Sequence, residues 1–145
     1  MNSEWLPEET STHQDHVIAH VIGATVLGHF VLDETLHLLL DMGFIWSVYL
    51  DGQMVLLPQS VALGELEITA EARSQLGCDL ELLERDGREA QGLARISPAP
   101  DDCLISEVSV FASGERRRLV LQGETSNMLI EMSLATRDIE VSFVN

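Results

Sequence analysis

The sequence predicts an α+β domain that is predominantly antiparallel β, either a barrel or two packed sheets, with one or two short helices. Three observations carry this expectation. Beyond Cys103 short runs such as MLIEMSLA and DIEVSFV alternate apolar and polar residues with period two, the pattern of strands with one buried face. Two Asp-Gly pairs, Asp51-Gly52 and Asp86-Gly87, each sit between apolar runs, where a tight hairpin turn needs positive φ. Helix start and stop signals are confined to short segments after Asp33 and Thr69.

Taken in order, residues 1–15 mix Glu, Ser, Thr, Gln and His around Trp5, Leu6 and Pro7. They are expected to form a flexible, acidic N-terminal tail from which Trp5 can dock on the body. Residues 16–145 then make a single globular domain, a length that buries a real core but does not divide into two ordinary ones. From Val17 to Leu32, eight of sixteen residues are β-branched or aromatic, which favours strand over helix. That run exceeds the roughly 3–10 residues of a usual strand, so Gly23 and Gly28 mark a bulge, a bend or a break into two strands. The helical alternative would align His13, His16 and His20 on one side at spacings of three and four.

Asp33 is placed to cap a short helix carrying Leu36, Leu39 and Leu40, with Gly43 to end it. FIWSVYL and QMVLLP flank Asp51-Gly52, and a two-residue turn there would set Tyr49 opposite Met54 and Val48 opposite Val55. VALGELEI reads as a strand, and TAEARSQLG as a short helix from Thr69 to Gly77. CDLELLER and REAQGLARI read as a second hairpin about Asp86-Gly87, and SPAPDDC as a loop. CLISEVSVFA, RRRLVLQ, MLIEMSLA and DIEVSFV complete the domain as antiparallel strands.

Composition narrows the function classes. Hydrophobic residues make up 46% and charged residues 22%, values of a folded globular chain. With 24 acidic against 8 basic residues the formal net charge is -16, which repels phosphate backbones and speaks against a nucleic-acid partner. A basic protein partner or a cation suits that field better. The first sixteen residues carry no early Lys or Arg and no short apolar core, so they do not read as a secretory signal. The Val17–Leu32 run is short for a membrane span and is interrupted by His20 and His29, so no membrane association is expected. Cys78 and Cys103 stand outside any CxxC pair, as reduced thiols of a cytoplasmic protein would.

Chemistry-bearing candidates are sparse. His29, Asp33, Glu34 and His37, with Asp41 nearby, bring imidazole and carboxylate within thirteen residues, a donor set suited to zinc or another divalent metal ion. The competing reading makes Asp33 a helix cap, Glu34 a first-turn carboxylate and the histidine a structural one. No G-x-S-x-G elbow, phosphate loop or dinucleotide fingerprint is present. On a strand, Arg116 and Arg118 share a face and Arg117 points away, and pairing with surface carboxylates is the expected fate of all three. Phe44, Trp46 and Tyr49 cluster in the first Asp-Gly ribbon, both of whose faces are apolar, which makes that ribbon either core or the interface of a homodimer. The sequence therefore points first to a non-catalytic cytoplasmic binding or assembly module that self-associates or binds a basic protein. The alternative is a small metal-binding protein or metal-dependent enzyme built on residues 29–41.

Overall fold

The computed structural model describes residues 5–100 and 103–144. In chain order the elements are β1 (Leu6–Pro7), α1 (Thr12–Val21), β2 (Val26–Leu32), β3 (Thr35–Leu40), β4 (Phe44–Tyr49) and β5 (Met54–Pro58). They are followed by α2 (Gln59–Glu65), α3 (Ala70–Asp86), a 3-10 turn (Gly87–Glu89), β6 (Ser97–Pro98), β7 (Glu107–Ser113), β8 (Arg116–Gln122), β9 (Asn127–Ser133) and β10 (Ile139–Val144). The first sheet has the order β1-β7-β8-β9-β10 and the second β5-β4-β3-β2-β6, all pairs antiparallel. The expected α+β class holds, as two packed sheets and not as a closed barrel.

The second sheet is the middle layer. Leu36, Leu38 and Leu40 of β3 and Trp46 and Val48 of β4 face the first sheet, meeting Val110, Leu119, Leu121, Met128, Ile130 and Met132. Its opposite face carries Phe30, Leu39 and Ile45 against Ala62 of α2 and Leu76, Leu80 and Leu83 of α3. β3 is thus covered on both sides, which is why its sequence TLHLLL lacks the alternation of a half-buried strand.

That double burial explains the first correction. The expected helix from Asp33 to Gly43 is a hairpin: Leu32 pairs with Thr35 across a two-residue turn in which Asp33 and Glu34 both have positive φ, 49° and 61°. Leucine suits a helix, but a strand position buried on two faces outweighs that preference.

The N-terminal expectations change as well. β1 pairs with β7, and α1 begins at Thr12, so regular structure starts well inside the stretch read as a tail. α1 also takes the first part of the run read as strand. Ser11 accepts the Gln14 N–H while Gln14 reaches back to the Ser11 N–H, a reciprocal cap, and Gln14, Val17 and Val21 form the buried stripe. Gly23 then turns the chain at φ 93°, and the expected bulge appears as a register shift between Val26 and Gly28.

Further on, VALGELEI lies largely in α2 instead of a strand. Thr69 caps α3 as expected, but the helix passes Gly77 and runs to Asp86, absorbing CDLELLER. Ala72, Leu76, Leu80 and Leu83 keep one helical face buried across that glycine. The Asp86-Gly87 pair consequently makes no hairpin. Gly87, at φ 60°, closes the helix. The Asp51-Gly52 hairpin is real, but its loop holds three residues: Tyr49 donates its N–H to Gln53, Gly52 donates to Tyr49, and Val48 pairs with Met54. The extra residue lets Leu50 drop into the core. The four C-terminal strands form as expected, with Leu121, Met128 and Phe143, and likewise Leu119, Ile130 and Val141, aligned across the sheet on its inner face.

Candidate functional site

His37 sits at the middle of the central strand, on the face turned to α2 and α3. Its neighbours follow from register: β4 sets Ser47 directly opposite, and β2 sets Phe30 on the other side. His37 Nδ1 lies 2.7 Å from Ser47 Oγ, and the ring stacks on Phe30 with centroids 4.7 Å apart. Burial pushes the imidazole pKa down to about 4, a shift the Asp33 carboxylate partly opposes, so the ring is neutral at pH 7. A cleft of about 250 Å³ opens over this pair, with Asp33, Thr35, Tyr49, Glu65 and Glu67 among its walls. Arg73 holds the α2–α3 link beside it by donating to the carbonyls of Leu63 and Leu66.

A serine, a histidine and an aspartate share this cleft, yet they do not form a relay. Asp33 makes no hydrogen bond to the imidazole among the described residues, and the ring's bonded nitrogen already faces Ser47. Nucleophilic catalysis needs the base oriented by a third group on its far nitrogen, and that group is missing there.

The four residues singled out as metal ligands are not brought together. His29 pairs with Leu38 and therefore lies on the opposite face of the sheet from His37, under Phe143 of β10 with ring centroids 6.3 Å apart. Its Nδ1 is buried without a hydrogen-bond partner, and burial lowers its pKa. Glu34 is engaged by Arg137 at 3.2 Å, which ties the β2–β3 turn to the β9–β10 turn. Among the described residues no group of three or more His, Cys, Asp or Glu side chains is placed to hold a metal ion. A period-four helix would have gathered these side chains, whereas the hairpin sends successive residues to opposite faces.

Phe44, Trp46 and Tyr49 also part company. Trp46 is fully buried between the sheets and offers no contact surface, while Tyr49 is 41% exposed at the edge of the His37 cleft. Phe44 lines a different groove, of about 410 Å³, between α1 and the β4–β5 hairpin. The same groove receives His13, His16 and His20, whose one-sided placement follows from α1 being helical. Within the domain the ribbon packs on both faces, with Trp46 and Val48 toward the first sheet and Ile45 toward α2 and α3.

Two organising features, the buried carboxylate of Asp79 and the Ser11 cap, were not singled out in the sequence. Asp79 of α3 is buried and accepts the backbone N–H groups of Ala94, Arg95 and Ile96, folding the chain after α3 back along the helix. Its partners lie fifteen to seventeen residues away, so no local pattern reveals it. The Ser11-x-x-Gln14 cap, by contrast, is a legible start signal. Trp5 lies beneath the guanidinium groups of Arg116 and Arg118, at 4.9 and 4.2 Å, and both arginines pair with Glu131. Arg117 points to the other face and meets Glu8 at 3.3 Å.

The sheet edges differ sharply in how they are finished. β1 and β6 are two residues long and each contains a proline, Pro7 and Pro98. α1 lies along β5: His13 Nε2 is 2.9 Å from the Met54 carbonyl, Gln14 donates to the Gly52 carbonyl, and Pro58 ends the strand. β10 has none of these devices. It is six residues long, IEVSFV, with no proline and no basic residue, and among the described residues no element lies beyond it. Ser133 of β9 donates to the Asp138 carbonyl, and the register pairs Glu131 with Glu140 and Leu129 with Ser142. Alternation therefore turns the backbone groups of Ile139, Val141 and Phe143 outward, where no described residue meets them. The side chains of these three residues are only half-buried at the margin of the core, and Val144 is exposed.

No family model, no curated protein and no solved structure matches this chain. Among the described residues no helix is long and apolar enough to cross a membrane.

Proposed function

We propose that this protein is a non-catalytic assembly module that joins another chain by strand addition at β10. One observation carries the reading: among the described residues, of the four strands that end the two sheets, β10 alone is left without a proline, a basic residue or a covering helix. An unpaired row of N–H and C=O groups beside half-buried apolar side chains gains both hydrogen bonds and burial when a strand is laid against it. The absence of a catalytic relay around His37 and Ser47 favours binding over turnover. Cys78 and Cys103 are free thiols, which supports a reducing, cytoplasmic setting.

The test uses a labelled synthetic peptide of residues 138–144. Saturable binding to the full chain is expected, with protection of the Ile139, Val141 and Phe143 amides from hydrogen exchange. Val141→Pro removes an outward N–H without touching the β9 ladder and should abolish that binding. Equal binding to wild type and Val141→Pro, or no binding to either, would remove the proposal.

A basic protein partner is the second reading. Its support is the net charge of -16 together with Asp33, Glu65 and Glu67 around the His37 cleft. Association with such a partner weakens as salt is added, because charges of opposite sign are screened. A complex indifferent to salt would count against it.

A further inference from the structure

Resting on the strand-addition reading, we infer that the strand added at β10 is β10 of a second copy of this chain, antiparallel to the first and centred on a two-fold axis through Val141. Only Ile139, Val141 and Phe143 present outward backbone groups, and all three have their side chains on the core-facing side of the sheet. A two-fold axis normal to the sheet keeps that side common to both copies and joins residues of like parity.

Three registers satisfy this while pairing more than one of the outward residues. Centring on Glu140 sets two carboxylates against each other and leaves Phe143 unpaired. Centring on Ser142 leaves Ile139 unpaired. Centring on Val141 pairs every outward residue: Ile139 with the second copy's Phe143, Val141 with the second copy's Val141, and Phe143 with the second copy's Ile139. On the solvent side Glu140 then stands opposite the second copy's Ser142, so no like charges face each other at the centre. The half-buried side chains at the margin of one core are continued by those of the other, and the two first sheets become one. The segment is therefore self-complementary in hydrogen bonding, in apolar surface and in charge, which is what an isologous contact requires.

Charge supplies a signature that separates this occupant from a basic one. Each copy carries a formal net charge of -16, so two copies repel at long range. Their association tightens as salt rises, the reverse of a complex with a basic protein.

The experiment is sedimentation velocity on the full chain over a concentration series at low and high salt. A monomer–dimer equilibrium that tightens with salt is expected. Ser142→Glu places a carboxylate opposite the second copy's Glu140 twice over and should weaken the dimer about tenfold. Glu140→Lys combined with Ser142→Glu restores attraction at both contacts and should recover the dimer. Glu140 and Ser142 are exposed, so monomer melting serves as the control for folding. If Ser142→Glu leaves the dimer unchanged, or the double variant fails to rescue it, the Val141-centred register is overturned. A chain that stays monomeric while still binding the 138–144 peptide overturns the second copy and leaves strand addition standing. A chain that does neither overturns both.

Discussion

At Gly28 the second sheet depends on a missing side chain. A Cβ built there would lie 2.7 Å from the Ser97 carbonyl oxygen and 2.9 Å from Cγ2 of Ile96. The first of those atoms is backbone and cannot rotate aside. β6 can lie against β2 only because this residue is glycine, and Asp79 holds the chain leading into β6 in place. Gly28→Ala should therefore cost roughly 1–3 kcal/mol, the usual penalty for inserting atoms into a packed contact. Urea denaturation checks it, and a loss below the error of the midpoint would mean that β6 moves freely. The sequence marked Gly28 as an interruption, and the register shift beside it agrees. The close approach of β6 was invisible, because its cause lies nearly seventy residues away.

Among the elements, legibility follows how many faces are buried. β7 to β10 each show one face to the core and one outward, so their alternation survives in the sequence and their positions were predictable. β3 is buried on both faces and lost its alternation, which let Asp33, Leu36, Leu39 and Leu40 imitate a capped helix. The length of α3 is hidden in the sequence for a different reason. Gly77 looked like a terminator, but Ala72, Leu76, Leu80 and Leu83 carry the buried stripe straight past it. A glycine inside a helix costs about 1 kcal/mol relative to alanine, and packing on the sheet outweighs that. A Cβ at Gly77 would meet nothing within 4 Å. Gly77→Ala is accordingly expected to stabilise the protein by about 0.5–1 kcal/mol, read as a higher denaturation midpoint. An unchanged or lower midpoint would show that the glycine has a role in the helix beyond its tolerance.

For the molecule as a whole, two electrostatic effects oppose each other as pH falls. The buried imidazole of His37 has its pKa lowered to about 4 from an ordinary value of 6.5. The unfolded chain therefore takes up a proton there before the folded one does. Stability from keeping the ring neutral is complete above pH 6.5 and is lost as pH falls towards 4, up to about 3 kcal/mol in all. His29, also lowered by burial, acts in the same direction. Against this, protonating surface carboxylates relieves the self-repulsion of a chain carrying -16, which favours the compact state. Salt separates the two, because it screens exposed charges far more than a buried ring. At low salt the opposing terms should flatten the stability profile between pH 6.5 and 4, whereas at high salt the histidine loss should emerge as a steeper decline. His37→Gln should lower stability at pH 7, since it removes the Phe30 stack, and at the same time flatten the high-salt profile. Thermal melts across that pH range at two salt concentrations read both effects. Parallel wild-type and His37→Gln profiles at high salt would mean that the central imidazole does not titrate against folding. The metal reading began from these same histidines. On opposite faces of one sheet they instead make two separate neutral supports, one beneath the His37 cleft and the other beneath Phe143 of the open strand.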